Sequence, residues 1–252
     1  MAWRAAARCP LCLLGRAHRQ RLVSSSSGAA TAAGVTRSEI TYAFCGVVYV
    51  GLTNESSCRL TMLDANGPGF EFPPGTGFQP LPVGFEPTAE QAADAALATC
   101  RALDVAAGGA GSSPREIVFA GLGEPLLRLP ELCGAMRRLV EWPEHVSRLR
   151  LNSNGLTTGT TASQTARQLA AAGLSSACIQ IQSADPEQHR ALMQPLHAAL
   201  GLANAMELAE ELLLAGVEVE CSVIARPEVN LEAAEEAAIK LGATFKARPF
   251  YP

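Results

Sequence analysis

Residues 148–182 read RLRLNSNGLTTGTTASQTARQLAAAGLSSACIQIQ and contain one complete strand–helix–strand unit. Arg148–Asn152 and Ala177–Gln182 have the pattern of short strands, and Ala162–Ala172 between them has apolar residues at helical spacing. Gly173 follows this helix directly, at the position where helices commonly end with a residue in the left-handed conformation. Strands joined by a helix pair in parallel through a right-handed crossover, so the unit predicts a parallel sheet covered by helices.

The same alternation of short strands and longer helices runs through the chain from residue 41 onward. The predicted strands are Phe44–Leu52, Glu116–Ala120, Arg148–Asn152, Ala177–Gln182, Val217–Ile224 and Thr244–Arg248. The predicted helices are Thr88–Leu103, Pro130–Trp142, Ala162–Ala172, Asn204–Ala215 and Leu231–Leu241. Repeated units of this kind predict an α/β fold, either an open doubly wound sheet or a full or partial barrel. In each of these, functional residues gather at the carboxyl ends of the strands.

Composition excludes several classes of protein. The longest apolar run, Ala43 to Leu52, has ten residues, about half of the ~20 that a membrane-spanning helix needs. The eight cysteines are too scattered for a disulfide framework. The net charge is −4, and all six arginines of residues 1–38 stand in a segment without acids, so the remainder is more acidic still. An acidic body disfavours broad electrostatic binding to nucleic acid.

The first 37 residues have the composition of a targeting segment. They are rich in arginine, lack acidic residues and run into Ser24-Ser25-Ser26-Ser27 and an Ala/Gly stretch. Such a composition predicts an organelle transit peptide without stable structure, mitochondrial in the first interpretation and plastid in the second. The domain proper is expected to span residues 38–252, with a Gly/Pro-rich loop at 64–87 that is either a lid over the barrel mouth or a linker.

The turn Gly121-Leu122-Gly123-Glu124-Pro125, which follows the second predicted strand, resembles the GGE motif of the radical SAM superfamily. Small residues in such a turn let backbone acceptors approach an ammonium group, and an acidic side chain adds charge. The resemblance covers most of residues 44–252 and is closest to the radical SAM proteins associated with TatD-type metal-dependent hydrolases. It implies a partial (β/α)6 TIM-type barrel built on a parallel six-stranded sheet.

The resemblance also implies a set of residues around S-adenosylmethionine. Gly121, Gly123 and Glu124 would meet its amino group. The remaining implied contacts are Asn152 and Asn154 near the carboxylate, Gln182 and Ser183 near the ribose, and Val223 and Ile224 against the adenine.

The cysteine motif of that superfamily is degenerate in this chain. Its C-x3-C-x2-C pattern places three thiolates on a [4Fe–4S] cluster, which leaves the fourth iron open to the cofactor. Alignment on Thr53-Asn54 puts Ser56, Leu60 and Leu63 at the three ligand positions. Cys58 is the single cysteine of this loop, and no register that includes it recovers a second one. Cys58 is therefore the one candidate metal ligand here, and a cluster is not expected in the chain as written.

Two functions follow from the resemblance, and the catalytic residues are unknown in both. The first is a radical SAM protein that binds S-adenosylmethionine, an enzyme of unknown substrate if a cluster can be bound. The second is a barrel without radical chemistry that serves as a scaffold or as the partner of a TatD-type hydrolase. An unrelated α/β enzyme is the third and weakest alternative. No motif anchors a hydrolase or a kinase, since there is neither a G-x-S-x-G elbow nor a Walker loop.

Overall fold

Seven strands and seven α-helices make up the described part of the chain. The structure, a computed structural model, describes residues 37–61, 63–72, 76–107 and 114–252, so the predicted transit peptide lies outside it except for residue 37. The strands are β1 (Thr41–Phe44), β2 (Val47–Val50), β3 (Arg115–Phe119), β4 (Val146–Ser153), β5 (Ser176–Gln180), β6 (Glu218–Ile224) and β7 (Thr244–Arg248). The helices are α1 (Arg37–Ile40), α2 (Ala89–Ala106), α3 (Leu129–Leu139), α4 (Ala162–Ala171), α5 (Pro186–Met193), α6 (Leu202–Leu214) and α7 (Leu231–Leu241).

The strands form one sheet in the order β1 to β7, in which β2 to β7 run parallel. This confirms the α/β class and the six parallel strands. β1 is an additional strand, antiparallel to β2, so the predicted first strand Phe44–Leu52 is wrong at its beginning. Cys45 and Gly46 both have positive φ, 50° and 80°, and they form the turn of a β1–β2 hairpin there.

The sheet is curled but not closed. Among the described residues, β1 and β7 pair on one side only. Burial raises the pKa of Tyr42 on β1, and the positive charge of Arg248 on β7 partly opposes that shift. Tyr42 and Arg248 therefore lie within electrostatic range of each other, while β1 and β7 are not paired.

Local sequence signals set the helix ends. Thr88 accepts a hydrogen bond from the main-chain N–H of Gln91, whose side chain bonds back to Thr88, so the predicted capping box is present. Asn230 caps α7 by accepting a hydrogen bond from the main-chain N–H of Ala233, and Gly242 ends that helix with a φ of 92°. No described helix is long and apolar enough to cross a membrane.

The two faces of the sheet differ in chemistry. One face carries aliphatic side chains such as Val50, Ile117, Leu151 and Ile179 and packs against the helices as the main core. Strand residues at the alternate positions face the barrel interior. They include Tyr49, Arg150, Cys178, Gln180, Glu220, Ser222 and Arg248. The interior of the barrel is therefore polar, and it meets the carboxyl edge of the sheet, where the candidate site lies.

Candidate functional site

Glu124 is the most deeply buried carboxylate at the carboxyl edge. It follows β3, is 1% exposed, and accepts hydrogen bonds from Ser153 Oγ at 2.7 Å, Asn154 N at 2.9 Å and Leu126 N at 3.1 Å. Burial raises its pKa to about 7, although the three hydrogen bonds act in the opposite direction. The side chain thus joins the end of β3 to the end of β4 and places a titratable charge beneath the Gly121–Gly123 turn.

The glycine at position 123 of this turn is required by the loop that follows β2. A Cβ atom on Gly123 would stand 2.4 Å from the carbonyl oxygen of Glu55 and 2.5 Å from that of Thr53. The main-chain N–H of Gly123 donates to Thr53 O at 3.2 Å, and that of Glu124 donates to Glu55 O at 2.8 Å. The loop after β2 therefore pairs with the N–H edge of the turn, while Gly121 has more room, with 3.4 Å from its Cβ position to Gly51 Cα.

The two predicted asparagines have different surroundings. Asn154 is buried; its Nδ2 donates to Ser57 Oγ at 2.8 Å and its Oδ1 accepts from Leu156 N at 3.0 Å. Asn152 lies on the inner face of β4 and accepts a hydrogen bond from Arg150 Nε at 3.2 Å. Asn154 thus ties the end of β4 to the loop after β2, and Asn152 is turned toward the barrel interior.

The residues predicted near the ribose lie at the end of β5. Gln182 has a φ of 57°, and its Oε1 accepts a hydrogen bond from Ile224 N at 3.1 Å. Ser183 donates to Gln188 Oε1 at 2.6 Å and accepts from Asp185 N at 3.0 Å, so it stabilises the turn into α5. Val223 belongs to the core on the helix side, and Ile224 is buried. The structure brings Glu124 together with Asn154, whereas Gln182 and Ser183 belong to the β5–β6 side of the edge.

The loop after β2 does not fit an iron–sulfur cluster. Its one cysteine, Cys58, is 3% exposed, and burial raises the pKa of the thiol to about 11. A cluster needs ionised thiolates from several cysteines. Within the described parts of the chain, no group of three or more His, Cys, Asp or Glu side chains could hold a metal ion. Among the described residues, no other side chains therefore replace the missing second and third cysteine ligands of a cluster.

The described parts of the Gly/Pro-rich loop, residues 64–72 and 76–87, lie across the barrel mouth, and we call them the strap. At one end, Arg248 donates to Asn66 Oδ1 at 3.1 Å and Arg226 donates to Ala65 O at 3.2 Å. The main chain of Tyr251 also bonds to Asn66 O and to the N–H of Gly69, at 2.8 and 3.0 Å. This end of the strap is thereby fixed to the loop after β6, to β7 and to the segment after β7.

The other end of the strap is fixed beside the Gly121–Gly123 turn. The side-chain amide of Asn54 bonds to both main-chain groups of Leu81, at 2.7 and 3.0 Å. Glu86 accepts from Thr53 Oγ1 at 2.7 Å and from Arg128 at 2.5 Å. The strap and the turn together enclose a crevice of about 10 Å³, which is room for a single water molecule.

Aromatic side chains of the strap pack onto the inner face of the hairpin. Phe72 and Phe78 stack with ring centroids 4.1 Å apart, and both contact Tyr42 edge-on, at 5.8 and 5.1 Å. Tyr42 in turn stacks on Tyr49 at 4.8 Å. In this conformation the strap occupies the approach to the Gly121–Gly123 turn.

Sequence reasoning missed Gln180, which is completely buried on the inner face of β5. The available signal was its position, because a carboxamide at an inward-facing position of a strand flanked by Ile179 and Ile181 has to be buried.

Comparisons with known proteins show similarity of fold but no match of sequence. No family model matches the sequence, and no curated protein matches it. A radical SAM methyltransferase from Sphaerobacter thermophilus superposes with a TM-score of 0.55 at 16% identity, over 81% of this chain and 55% of that protein. The FeFe-hydrogenase maturase HydG from Carboxydothermus hydrogenoformans gives 0.53 at 15% identity, over 82% of this chain and 44% of HydG.

A third solved structure, Streptococcus suis SuiB bound to the precursor peptide SuiA, gives a TM-score of 0.51 at 14% identity, over 81% of this chain and 39% of SuiB. This chain thus spans about half of these proteins, or less. At such identities the likeness is one of fold: the chain has the partial (β/α) barrel of radical SAM enzymes.

Proposed function

We propose that this chain is a radical SAM family protein that binds S-adenosylmethionine at the Gly121–Gly123 turn without carrying a [4Fe–4S] cluster. The loop after β2 supports this proposal most directly. In that loop Ser56, Leu60 and Leu63 occupy the three positions of the cluster ligands. The loop is nevertheless held by hydrogen bonds: Asn154 donates to Ser57, and the N–H of Glu124 donates to the carbonyl oxygen of Glu55. A loop that is held by its own contacts does not need a metal in order to fold.

The buried carboxylate of Glu124 has a defined part in this function. Its oxygens accept hydrogen bonds from within the protein, so it acts on a ligand through its charge rather than by direct contact. In a low-dielectric interior a negative charge beneath the turn attracts an ammonium group above it. The raised pKa, about 7, means that this attraction strengthens as the pH rises through neutrality. Glu124 is in this sense a positioning residue for the turn and for the ligand.

The proposal implies that the strap has to move. The crevice at the turn holds about 10 Å³, whereas a nucleoside needs several hundred. Withdrawal of Leu81 from Asn54 would open the space between Thr53 and Gly121. Because Leu81 is held by a pair of hydrogen bonds to the single residue Asn54, opening is expected to be a local event.

Calorimetric titration with S-adenosylmethionine tests the nucleotide, with S-adenosylhomocysteine as a second probe that lacks the sulfonium charge. We expect saturable binding to the wild-type protein at pH 8 and about tenfold weaker binding to Glu124→Gln. Glu55→Gln makes the same chemical change on an exposed side chain and should bind as the wild type does. No heat with either probe, or equal affinity of wild type and Glu124→Gln, would contradict the proposal.

Anaerobic incubation with iron and sulfide tests the cluster separately. We expect no absorbance near ~400 nm above that of the untreated protein and no bound iron after desalting. Stoichiometric iron would show that the chain finds ligands that the described residues do not offer.

Two expectations, one from the resemblance and one from composition, stay proposals. We infer a TatD-type metal-dependent hydrolase as the partner, because the sequence resemblance is closest to proteins associated with that class, and mitochondrial import from the arginine-rich head, with a plastid as the alternative. Co-purification with a TatD-type hydrolase and the location of a fusion carrying residues 1–37 would test them.

A further inference from the structure

The outer face of α2 carries a regular stripe of four side chains. Asp94, Ala98, Arg101 and Val105 follow one another at intervals of four, three and four residues, so they lie along one line of the helix. The opposite side of α2 is buried in the core, for example through Ala96. Asp94 and Arg101 are exposed, and Val105 is 76% exposed. Such spacing is typical of a helix that packs lengthwise against a second helix.

A groove of about 400 Å³ runs between α2 and α3 beside this stripe. Its floor is apolar, because Ala93 and Leu97 are buried there. Charged and aromatic side chains line its walls: Asp94, Arg101, Arg138, Glu141 and Trp142. A volume of this size lies within the range of binding pockets, so the groove has room for side chains of a partner. We call the stripe and the groove together the α2–α3 face.

Arg101 is held toward solvent beside an exposed tryptophan. Its guanidinium group lies over the indole ring of Trp142, 5.3 Å from the ring centroid, and its Nε donates to His145 Nε2 at 3.5 Å. Among the described residues, Arg101 makes no ion pair with a carboxylate. Trp142 is 38% exposed. Tryptophan and arginine are two of the residue types that contribute most at the centres of protein interfaces, so this pair marks the face as an interaction surface.

The charges of the α2–α3 face decide which partner fits it. The groove is lined by two carboxylates and two guanidinium groups, so it has no net charge. A strongly acidic or strongly basic partner would therefore meet like charges on this face. A second copy of the same chain avoids this, because a two-fold axis can set each charge against its opposite.

We propose that two copies of this chain form a two-fold symmetric dimer through the α2–α3 face. Asp94 and Arg101 are seven residues apart, or about 10.5 Å along the helix. An axis that crosses α2 near Leu97 sets the two α2 helices antiparallel and brings Asp94 of each copy opposite Arg101 of the other. Asp94 approaches its own Arg138 only to 3.9 Å, so it gains a closer cation in the dimer.

The dimensions of the face predict a weak dimer. The 18 residues of α2 give a length of about 27 Å, and two adjacent helices give a width of about 20 Å. Each copy therefore buries about 500 Å², and the interface of about 1,000 Å² lies near the lower limit for specific association. This inference does not depend on nucleotide binding, because the face belongs to the helix layer outside the sheet.

Sedimentation velocity of the full chain over a range of concentrations tests the proposal. We expect a mass twice that of one chain at about 100 µM and dissociation toward monomers on dilution below about 1 µM. Addition of S-adenosylmethionine is not required for the dimer. Failure of the nucleotide to bind to a protein that still dimerises would refute the proposed function alone.

Charge reversal identifies the face. Asp94→Arg or Arg101→Asp each creates two like-charge contacts in the symmetric dimer, so each should raise the dissociation constant at least about tenfold. The double variant that carries both changes restores two opposite-charge contacts and should dimerise again. A mixture of the two single variants should form a heterodimer, because each copy then offers the charge that the other lacks. Glu235→Arg makes the same reversal as Asp94→Arg on an exposed position of α7 and should dimerise as the wild type does.

Three outcomes would overturn the proposal. The first is a wild-type chain that stays monomeric at about 100 µM. The second is a dimer that Asp94→Arg leaves intact, which would place the contact on another face of the protein. The third is the absence of a heterodimer in the mixture of the two single variants. Asp94 is exposed, so Asp94→Arg is expected to fold, and circular dichroism with a Tm measurement checks this for every variant. If Arg101→Asp does not fold, Asp94→Arg and its control Glu235→Arg still decide the question.

Discussion

The hydroxyl of Ser153 donates a hydrogen bond to Glu124 Oε1 at 2.7 Å, so the last residue of β4 is joined to a buried acid in the loop after β3. This contact, together with the N–H of Asn154 on the other carboxylate oxygen, fixes the relative position of two strand ends. The same acid lies beneath the turn at which a nucleotide is proposed to bind. Its ionisation therefore affects both the stability of the fold and the charge of the site.

Stability is expected to fall as the pH rises toward neutrality. The pKa of Glu124 is about 7 in the folded chain and near its ordinary value of ~4.3 when unfolded. The folded state therefore binds more protons between these values, so the stabilisation is complete below ~4.3 and is lost as the pH rises through 7. The loss is on the order of 3 kcal/mol. Urea unfolding from pH 4.5 to 8 measures it.

The control for this pH dependence is Glu124→Gln, which cannot ionise. The variant is less stable overall, because its amide places a donor against a main-chain N–H, but its free energy of unfolding should lack the decline between pH 4.5 and 7. An unchanged pH profile in Glu124→Gln would assign the decline to other groups.

Gly123→Ala should destabilise the protein by about 2 kcal/mol or more. Its Cβ would stand 2.4 Å from the carbonyl oxygen of Glu55, so either the loop after β2 or the turn has to shift. Gly121→Ala is the matched control, because its Cβ meets its nearest neighbour at 3.4 Å, and it should cost less than ~1 kcal/mol. Urea midpoints measure both variants, and equal losses would contradict the close packing at Gly123.

Three cysteines placed at the degenerate positions should restore a cluster. The triple substitution Ser56→Cys, Leu60→Cys and Leu63→Cys recreates C-x3-C-x2-C in the loop after β2. After anaerobic reconstitution we expect bound iron and absorbance near ~400 nm. Leu63→Cys alone serves as the control and should gain neither. A triple variant that folds but takes up no iron would show that the loop conformation, and not only its composition, excludes the cluster.

Asn54→Ala should loosen the strap at Leu81. The substitution removes both hydrogen bonds of Asn54 to the main chain of Leu81, and a loss of about 1–2 kcal/mol corresponds to roughly tenfold faster amide exchange there. Hydrogen exchange at residues 79–85 measures this, and the amides of β4 serve as the internal reference. If exchange in β4 rises equally, the effect is global unfolding rather than release of the strap.

The fold was largely predictable from local patterns. The Thr88–Gln91 capping box, the glycine after α7 and the strand–helix alternation all act within a few residues, so the sequence displays them directly. The β1–β2 hairpin was missed because Cys45 adopts a positive φ, and a cysteine in the sequence does not indicate such a conformation. A continuous β-forming run thus concealed a turn.

The site was less predictable, because its contacts join residues far apart in the chain. The sequence by itself determined that Gly121–Glu124 follows a strand and that three cluster cysteines are missing, since both follow from the order of residue types. Only the tertiary structure decided that Glu124 is bonded internally, that the strap covers the turn, and that Gln180 is buried without a partner. The physical reason is that burial and hydrogen bonding depend on which segments contact one another across the curled sheet. Local periodicity does not reveal such long-range contacts.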